Sequence, residues 1–209
     1  MTPRLLSLFC LSLFLISCTP IGILMTGATT AGTFAMEERG FKGATHDLGL
    51  KASVIQTWAG SNFSFASDLS VIVYNSKAMV MGMVETEEMR AQAISLVWQV
   101  DGIKDVYNEI LLKNNNSLDA FAQDTWINTK LFAALTFDGL ILDINYKFDT
   151  EAGVVYVIGF AQNQGELNRF IQHAKSIEYV RKVVTHVKIK PQKSMFRPNY
   201  NNKEAPKEK

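Results

Sequence analysis

Cysteine is nearly missing from this 209-residue chain: it occurs twice, at Cys10 and Cys18. Two cysteines so close to one end cannot staple a disulfide scaffold or build a zinc ribbon. Excess charge is missing too, with 21 Lys and Arg against 20 Asp and Glu. That balance argues against nucleic acid as a partner, because nucleic-acid binders carry a strong basic surplus. Histidine occurs three times, at His46, His173 and His186. No H-E-x-x-H or comparable ligand spacing links the three, so they read as solvated surface side chains and no metal ligand is assigned. There is no G-x-S-x-G elbow. The Gly27–Gly32 run lacks the Lys-Ser/Thr ending of a phosphate loop. Glu85, Glu87 and Glu88 gather beside one helix start, where the helix dipole favours negative charge. The chain therefore reads as non-enzymatic, with no catalytic residue and no cofactor. Apolar residues at 47% and charged residues at 20% are close to the globular average. The length suits one medium domain or two small ones.

Long apolar runs are also scarce. The one that matters, Leu5 to Ile16, follows Arg4 and spans twelve residues. That is too short for an ordinary membrane span and suits a secretory signal. The stretch Leu15-Ile16-Ser17-Cys18 then resembles the bacterial lipobox. The resemblance implies diacylglycerol on the Cys18 sulfur, cleavage before Cys18, and a further acyl chain on the new amine. Several acyl chains make a lasting anchor, whereas one is marginal. The same segment also fits an ordinary signal peptide, or an uncleaved anchor extended through Met25, an extension that Pro20 and Gly22 interrupt. Thr19, rather than Asp, follows the cysteine; by the enterobacterial sorting rule this implies the outer membrane, facing the periplasm. On this reading residues 1–17 are a lipoprotein signal peptide and 18–45 a lipidated N-terminus and flexible linker rich in Gly, Thr and Ala. Cys10 leaves with the signal and Cys18 is alkylated, which excludes thiol catalysis.

The remaining chain repeats itself. Displaced by 77 residues without gaps, 47–113 superposes on 124–190. Asp47 falls on Asp124, Val80 on Val157, Gly82 on Gly159 and Val106 on Val183. Hydrophobic positions agree better than identities do: Leu50 with Ile127, Val54 with Leu131, Ile103 with Val180. A unit this long holds several elements, so it is a duplicated small domain rather than a solenoid repeat. Each copy reads as helix, strand, strand, helix, strand. In the second copy Asp124 is the expected cap of a helix to about Phe137. Ile127, Leu131 and Leu135 give that helix one buried stripe. Residues 142–149 alternate as a half-buried strand, and 154–160 form a central one. Asn163 with Glu166 is a capping-box pattern, opening a helix to about Ser176. The last strand is 180–189. The first copy matches with helix 47–59, strands 69–74 and 77–84, helix 86–99 and strand 103–112. Residues 114–123 form an interdomain linker. Residues 191–209 form a basic, disordered tail with five basic and two acidic side chains. Units of this size bury little core on their own, which favours docking of one on the other.

A strand with a late glycine, a capped helix and a Val-x-x-Val strand resemble the BON domain. The pattern appears in Val80-Met81-Gly82-Met83-Val84 with Ile103-Lys104-Asp105-Val106. It appears again in Val157-Ile158-Gly159-Phe160-Ala161 with Val180-Arg181-Lys182-Val183. The resemblance implies an α+β fold: two tandem αββαβ domains, 46–113 and 124–190, each with helices packed on a small mixed three-stranded sheet. It implies that Gly82 and Gly159 are structural, because a side chain there would collide with a neighbouring helix or strand. Two such domains behind a lipobox resemble the family's outer-membrane lipoproteins. Those bind anionic phospholipid (phosphatidylglycerol, cardiolipin) through the first helix of the second domain and support envelope integrity.

The helix over 124–137 can be examined for such a surface. At 100° per residue Trp126, Lys130, Ala133 and Phe137 cluster within about 60°. Aromatic rings suit the boundary between headgroups and acyl chains, and a lysine there snorkels to phosphates. The expected lipid-binding set is Trp126, Ile127, Lys130, Ala133 and Phe137. In the first copy Gly49 and Ser53 stand where Trp126 and Lys130 do, so only the second copy carries it. Phe132 replaces a basic residue of the family's helix, which shifts the balance from headgroup attraction toward apolar insertion. The competing assignment is that Trp126 and Phe137 pack against the first domain. The matching functional alternative is a periplasmic adaptor that binds a protein partner, such as an envelope protease or a regulator of a cell-wall hydrolase.

Overall fold

The computed structural model describes residues 37, 39–113 and 120–191. The expected signal peptide over 1–17, the expected lipidation site Cys18, the expected linker up to residue 36, and the expected tail from residue 192 lie outside the described residues.

The first unit runs α1 (Gly40–Ser61), α2 (Phe63–Asp68), β1 (Leu69–Tyr74), β2 (Lys77–Val84), α3 (Glu87–Trp98) and β3 (Asp105–Leu112). The second runs α4 (Ala120–Thr136), a 3-10 turn (Asp143–Asn145), β4 (Tyr146–Glu151), β5 (Val154–Ala161), α5 (Gln164–Ser176) and β6 (Lys182–Ile189). The fold is α+β, with two mixed three-stranded sheets ordered β1-β2-β3 and β4-β5-β6. In each sheet the central strand pairs antiparallel with the strand before it and parallel with the strand after it. The parallel pair needs a crossover, which α3 and α5 supply. The 77-residue displacement carries β1 onto β4, β2 onto β5 and β3 onto β6 with identical bounds.

Apart from Lys77 at the start of β2, the central strands are apolar because both of their faces are covered. Ala78, Val80 and Val84 point toward the helices and join Leu50, Val54 and Trp58 of α1 with Ala93 and Val97 of α3. Within that cluster the fully buried Trp58 donates its indole Nε1–H to Ala93 O at 3.0 Å. The alternate residues Met79 and Met81 point the other way. They meet Tyr156 and Ile158 of β5 in a separate cluster with Tyr74. The two sheets thus pack face to face with helices on their outer sides, and each unit supplies the cover that the other lacks. Polar contacts join the rims of this contact. His186 Nε2 lies 2.7 Å from Glu109 Oε1, its ring stacks on Tyr107 at 4.0 Å, and Lys147 Nζ donates to Glu37 Oε1 at 2.9 Å. His186 is therefore a paired group at the junction rather than a solvated one.

Several local expectations need correction. The linker does not extend to residue 45, because α1 begins at Gly40. What orders this stretch is polar: buried Glu37 and Asp47 both bind the guanidinium of Arg39, at 2.5 Å each. Hydrophobic periodicity carries no trace of such a cluster. Likewise α4 begins at Ala120, inside the expected 114–123 linker. Asp124 is not a helix cap. It lies within α4 and accepts the N–H groups of Ala152 and Gly153, both at 2.7 Å. Asp47 does the same for Asn75 and Ser76, at 2.6 and 2.8 Å. Both hairpin turns have two consecutive residues at positive φ, 52° and 61° in the first and 50° and 74° in the second. That geometry aims adjacent N–H groups at one acceptor. β4 starts at Tyr146, and Asp143–Asn145 before it form a 3-10 turn.

At Gly82 a Cβ would stand 2.4 Å from Asp68 O, and at Gly159 2.2 Å from Asn145 O. The obstacle is backbone where a helical turn passes into the neighbouring strand: the last residue of α2 and the first of β1 at Gly82, the last residue of the 3-10 turn and the first of β4 at Gly159. Gly82 adds a φ of 122°, a region that other residues rarely adopt.

Candidate lipid-binding face

Helix α4 is fixed by the stripe that its spacing predicts. Ile127, Leu131 and Leu135 are buried in the second unit's core with Val155, Val157 and Phe170. Ile127 is fully buried, so it holds the helix and cannot contact lipid; its place in the expected lipid-binding set is corrected. Asn128 ties the same helix to β4: its Nδ2 donates to Asp149 Oδ1 at 2.8 Å, and its Oδ1 accepts from Thr150 Oγ1 at 2.7 Å.

Those anchors leave the outer side of α4 in solvent. Trp126 is 47% exposed and Phe137, one residue past the helix, 89% exposed. Phe137 is thus almost wholly in solvent and Trp126 about half so, while the sheets make the apolar contact between the units. Lys130 is exposed, with its Nζ 4.4 Å from the Trp126 ring centroid. This cation–π contact keeps the ammonium beside the aromatic ring, with free N–H donors. Ala133 is partly buried.

The end of the helix is pinned as well. Asp138 receives Arg169 Nε at 2.5 Å and lies 2.6 Å from His173 Nε2. The hydrogen bond from His173, then that from Arg169, pulls the Asp138 carboxyl below its usual range, to about 2. His173 is thus a partner in this cluster, not an isolated surface side chain. Leu142 N–H donates to Glu166 Oε1 at 2.9 Å and Gln162 N–H to Glu166 Oε2 at 2.6 Å. Asn163 Oδ1 caps α5 by accepting from Glu166 N–H at 2.9 Å. The Glu166 side chain therefore ties a neighbouring loop instead of closing a capping box.

This held loop presents Leu140 and Leu142 to solvent a few residues beyond Phe137. The alternation over 142–149 assigns Leu142 to a half-buried strand, whereas β4 starts only at Tyr146, and the alternation carries no signal for Leu140. The available signal was three large apolar residues in Leu140-Ile141-Leu142, which lies beside a turn where only Ile141 enters the core. Gly49 and Ser53, the counterparts of Trp126 and Lys130, are exposed but carry no comparable side chains. The first unit has another exposed apolar row, Phe41, Leu48 and Ile55 on α1, each seven residues from the next. Among the described residues no group of three His, Cys, Asp or Glu side chains could hold a metal ion. Among them, too, no helix is long and apolar enough to cross a membrane.

The comparisons agree with this architecture. The BON domain model matches twice, over residues 49–114 and 123–191. The chain belongs to the BON-domain family. A protein of Anaplasma centrale described only by its position in the gshII 5′ region is 33% identical over 61% of this chain and 85% of its own length. The outer membrane lipoprotein DolP of Haemophilus influenzae is 26% identical over 56% of this chain and 60% of its own. The osmotically-inducible protein Y of Escherichia coli is 24% identical over 60% of this chain and 63% of its own. The matches thus span less than two thirds of the last two relatives. Among solved structures, CdsD, a structural protein of the type III secretion system of Chlamydia trachomatis, aligns with 68% of this chain at 11% identity and a TM-score of 0.30. That likeness is too slight to carry an argument.

Proposed function

We propose that this tandem BON protein is a non-enzymatic outer-membrane lipoprotein, held at Cys18 and facing the periplasm. Its second BON domain binds anionic phospholipid through Trp126, Lys130, Ala133 and Phe137, and so supports envelope integrity. The observation that carries the reading is the exposure of Trp126 on a helix whose opposite side is locked into the core, and of Phe137 just past its end. An aromatic pair with a neighbouring cation suits an anionic bilayer surface, where rings enter the acyl boundary and the ammonium meets phosphate. The similarity to a lipoprotein named for the outer membrane supports the location.

Co-sedimentation of residues 19–209 with vesicles tests this. That fragment contains every described element and all three hydrophobic clusters. Vesicles containing phosphatidylglycerol or cardiolipin are expected to retain the protein, and zwitterionic vesicles to retain far less. Trp126→Glu should lower binding at least about tenfold, since it replaces apolar insertion with a like charge. Circular dichroism should show the variant folded, as half of the side chain is already in solvent. Equal binding by the variant would refute the reading and favour the protein-adaptor alternative.

A further inference from the structure

Helix α1 carries a second apolar stripe besides the one that enters the core. Leu50, Val54 and Trp58 bury one side of the helix. On another side Phe41, Leu48 and Ile55 are 50%, 51% and 40% exposed. Thr45, Ala52 and Ala59 lie between and beyond them and are exposed as well. These residues follow one another at alternating steps of four and three, within about 80° round the helix. That 3.5-residue period is the seam of a coiled coil, with the large side chains at one heptad position and the small ones at the other. The Thr45 hydroxyl donates to Phe41 O and Lys42 O of its own helix, at 3.1 Å each. It can therefore enter an apolar seam with its hydroxyl satisfied.

The order of large and small residues decides what the seam fits. Run antiparallel against a second copy of itself, it has one register in which Thr45 lies opposite Ile55, Leu48 opposite Ala52 and Ala59 opposite Phe41. Every layer then pairs a large side chain with a small one, about a twofold axis level with Leu50. Such self-complementarity is what an isologous contact requires. A parallel pair would stack large on large and small on small. The inner residues Thr45, Leu48, Ala52 and Ile55 fix the antiparallel register by themselves.

Gly49 points the same way. Glycine in a helix interior weakens the helix, and the backbone at Gly49 is ordinary helix. A Cβ there would meet nothing within 4 Å, so the chain's own packing gives the glycine no use. In the antiparallel pair Gly49 flanks the axis and faces its own copy, where the missing side chain lets two backbones approach. On the opposite flank Lys51 nears its own copy. Lys51 and Asp143 both line a groove of about 730 Å³ between α1 and α4. Neither makes an ion pair among the described residues, so Asp143 supplies an opposite charge on that flank.

We infer that α1 pairs antiparallel with α1 of a second copy of this chain, forming a twofold dimer. The helix has 22 residues and a seam about 33 Å long. A contact of that length is at the weak end of interface sizes, with an expected Kd of about 10–100 µM. It uses neither Trp126 nor Phe137, so it stands or falls apart from the lipid-binding reading of α4.

Sedimentation equilibrium of residues 19–209 tests this, with a reversible monomer–dimer equilibrium expected. Leu48→Glu should weaken the dimer at least about tenfold by burying a charge in the seam. Half of that side chain is in solvent, so circular dichroism should show the fold kept. Gly49→Leu is the second variant: it should raise the melting temperature through helix propensity and still weaken the dimer at least about fivefold by overpacking the axis. Trp126→Glu should leave dimerisation within about twofold. The fragment has no cysteine, so single cysteines report the register. Lys51→Cys should cross-link to its own copy through a short thiol reagent. Gln56→Cys should not, because its two copies lie about 18 Å apart along the axis. The inference is overturned by a monomer at concentrations up to about 1 mM, by a dimer indifferent to both Leu48→Glu and Gly49→Leu, or by efficient cross-linking through Gln56→Cys. A monomer that loses vesicle binding in Leu48→Glu would also overturn it, assigning the seam to lipid.

Discussion

Replacing Asp124 by Ala removes a carboxylate that accepts two backbone N–H groups at 2.7 Å each. A hydrogen bond to a charged group contributes about 1.5–3 kcal/mol. Gly153 is buried, whereas Ala152 is partly open to water. One N–H is therefore orphaned in the variant and the other is re-solvated, which gives a loss of about 2–4 kcal/mol. Asp124→Asn should cost nearly as much, since its NH2 would face an N–H donor instead of accepting from it. Asp47→Ala should cost more than Asp124→Ala, because Asp47 also binds Arg39, whose side chain is only 8% exposed. Urea unfolding of residues 19–209 reads each loss as a shift in midpoint at constant slope. Losses below about 0.5 kcal/mol in both Ala variants would refute the claim that these duplicated aspartates hold the hairpin turns to the helices.

Gly82→Ala and Gly159→Ala should each destabilise by about 1–3 kcal/mol or more, because the new Cβ meets a backbone oxygen that cannot rotate away; thermal melts falling by less than a degree would contradict this. Burial, then the nearby charges of Asp124 and Asp149, raises the Glu151 carboxyl to about 7. Below its ordinary value near 4.5 both folded and unfolded chains hold the proton, so nothing is lost. Between 4.5 and about 7 only the folded chain holds it, so stability falls as pH rises. The shift corresponds to about 3 kcal/mol at most, and solvent access to Glu151 reduces it to about 1. Glu151→Gln should then be neutral at pH 4.5 and stabilising at pH 8, and denaturation midpoints that are equal at both values would count against the cause given.

The local sequence determined the repeat, the strands and the core stripe. Those features depend on side-chain alternation and spacing, and Ile127, Leu131 and Leu135 declare their burial by period alone. The face of Trp126, Lys130 and Phe137 was legible for the same reason, as positions left over once the stripe is assigned. Ile127 could not belong to both sets, since one helix side cannot be buried and exposed together. What the sequence could not declare were contacts between residues far apart in the chain. The Glu37–Arg39–Asp47 cluster extends the first domain upstream through charges, which leave no hydrophobic period. Asp124 resembles a helix cap by position and becomes a turn clasp only because the β4–β5 hairpin is brought against it. His186 and Glu109 are 77 residues apart and meet only when the two sheets dock. The groove between α1 and α4 has the same origin: its walls come from two domains, so only the tertiary structure decided that it exists.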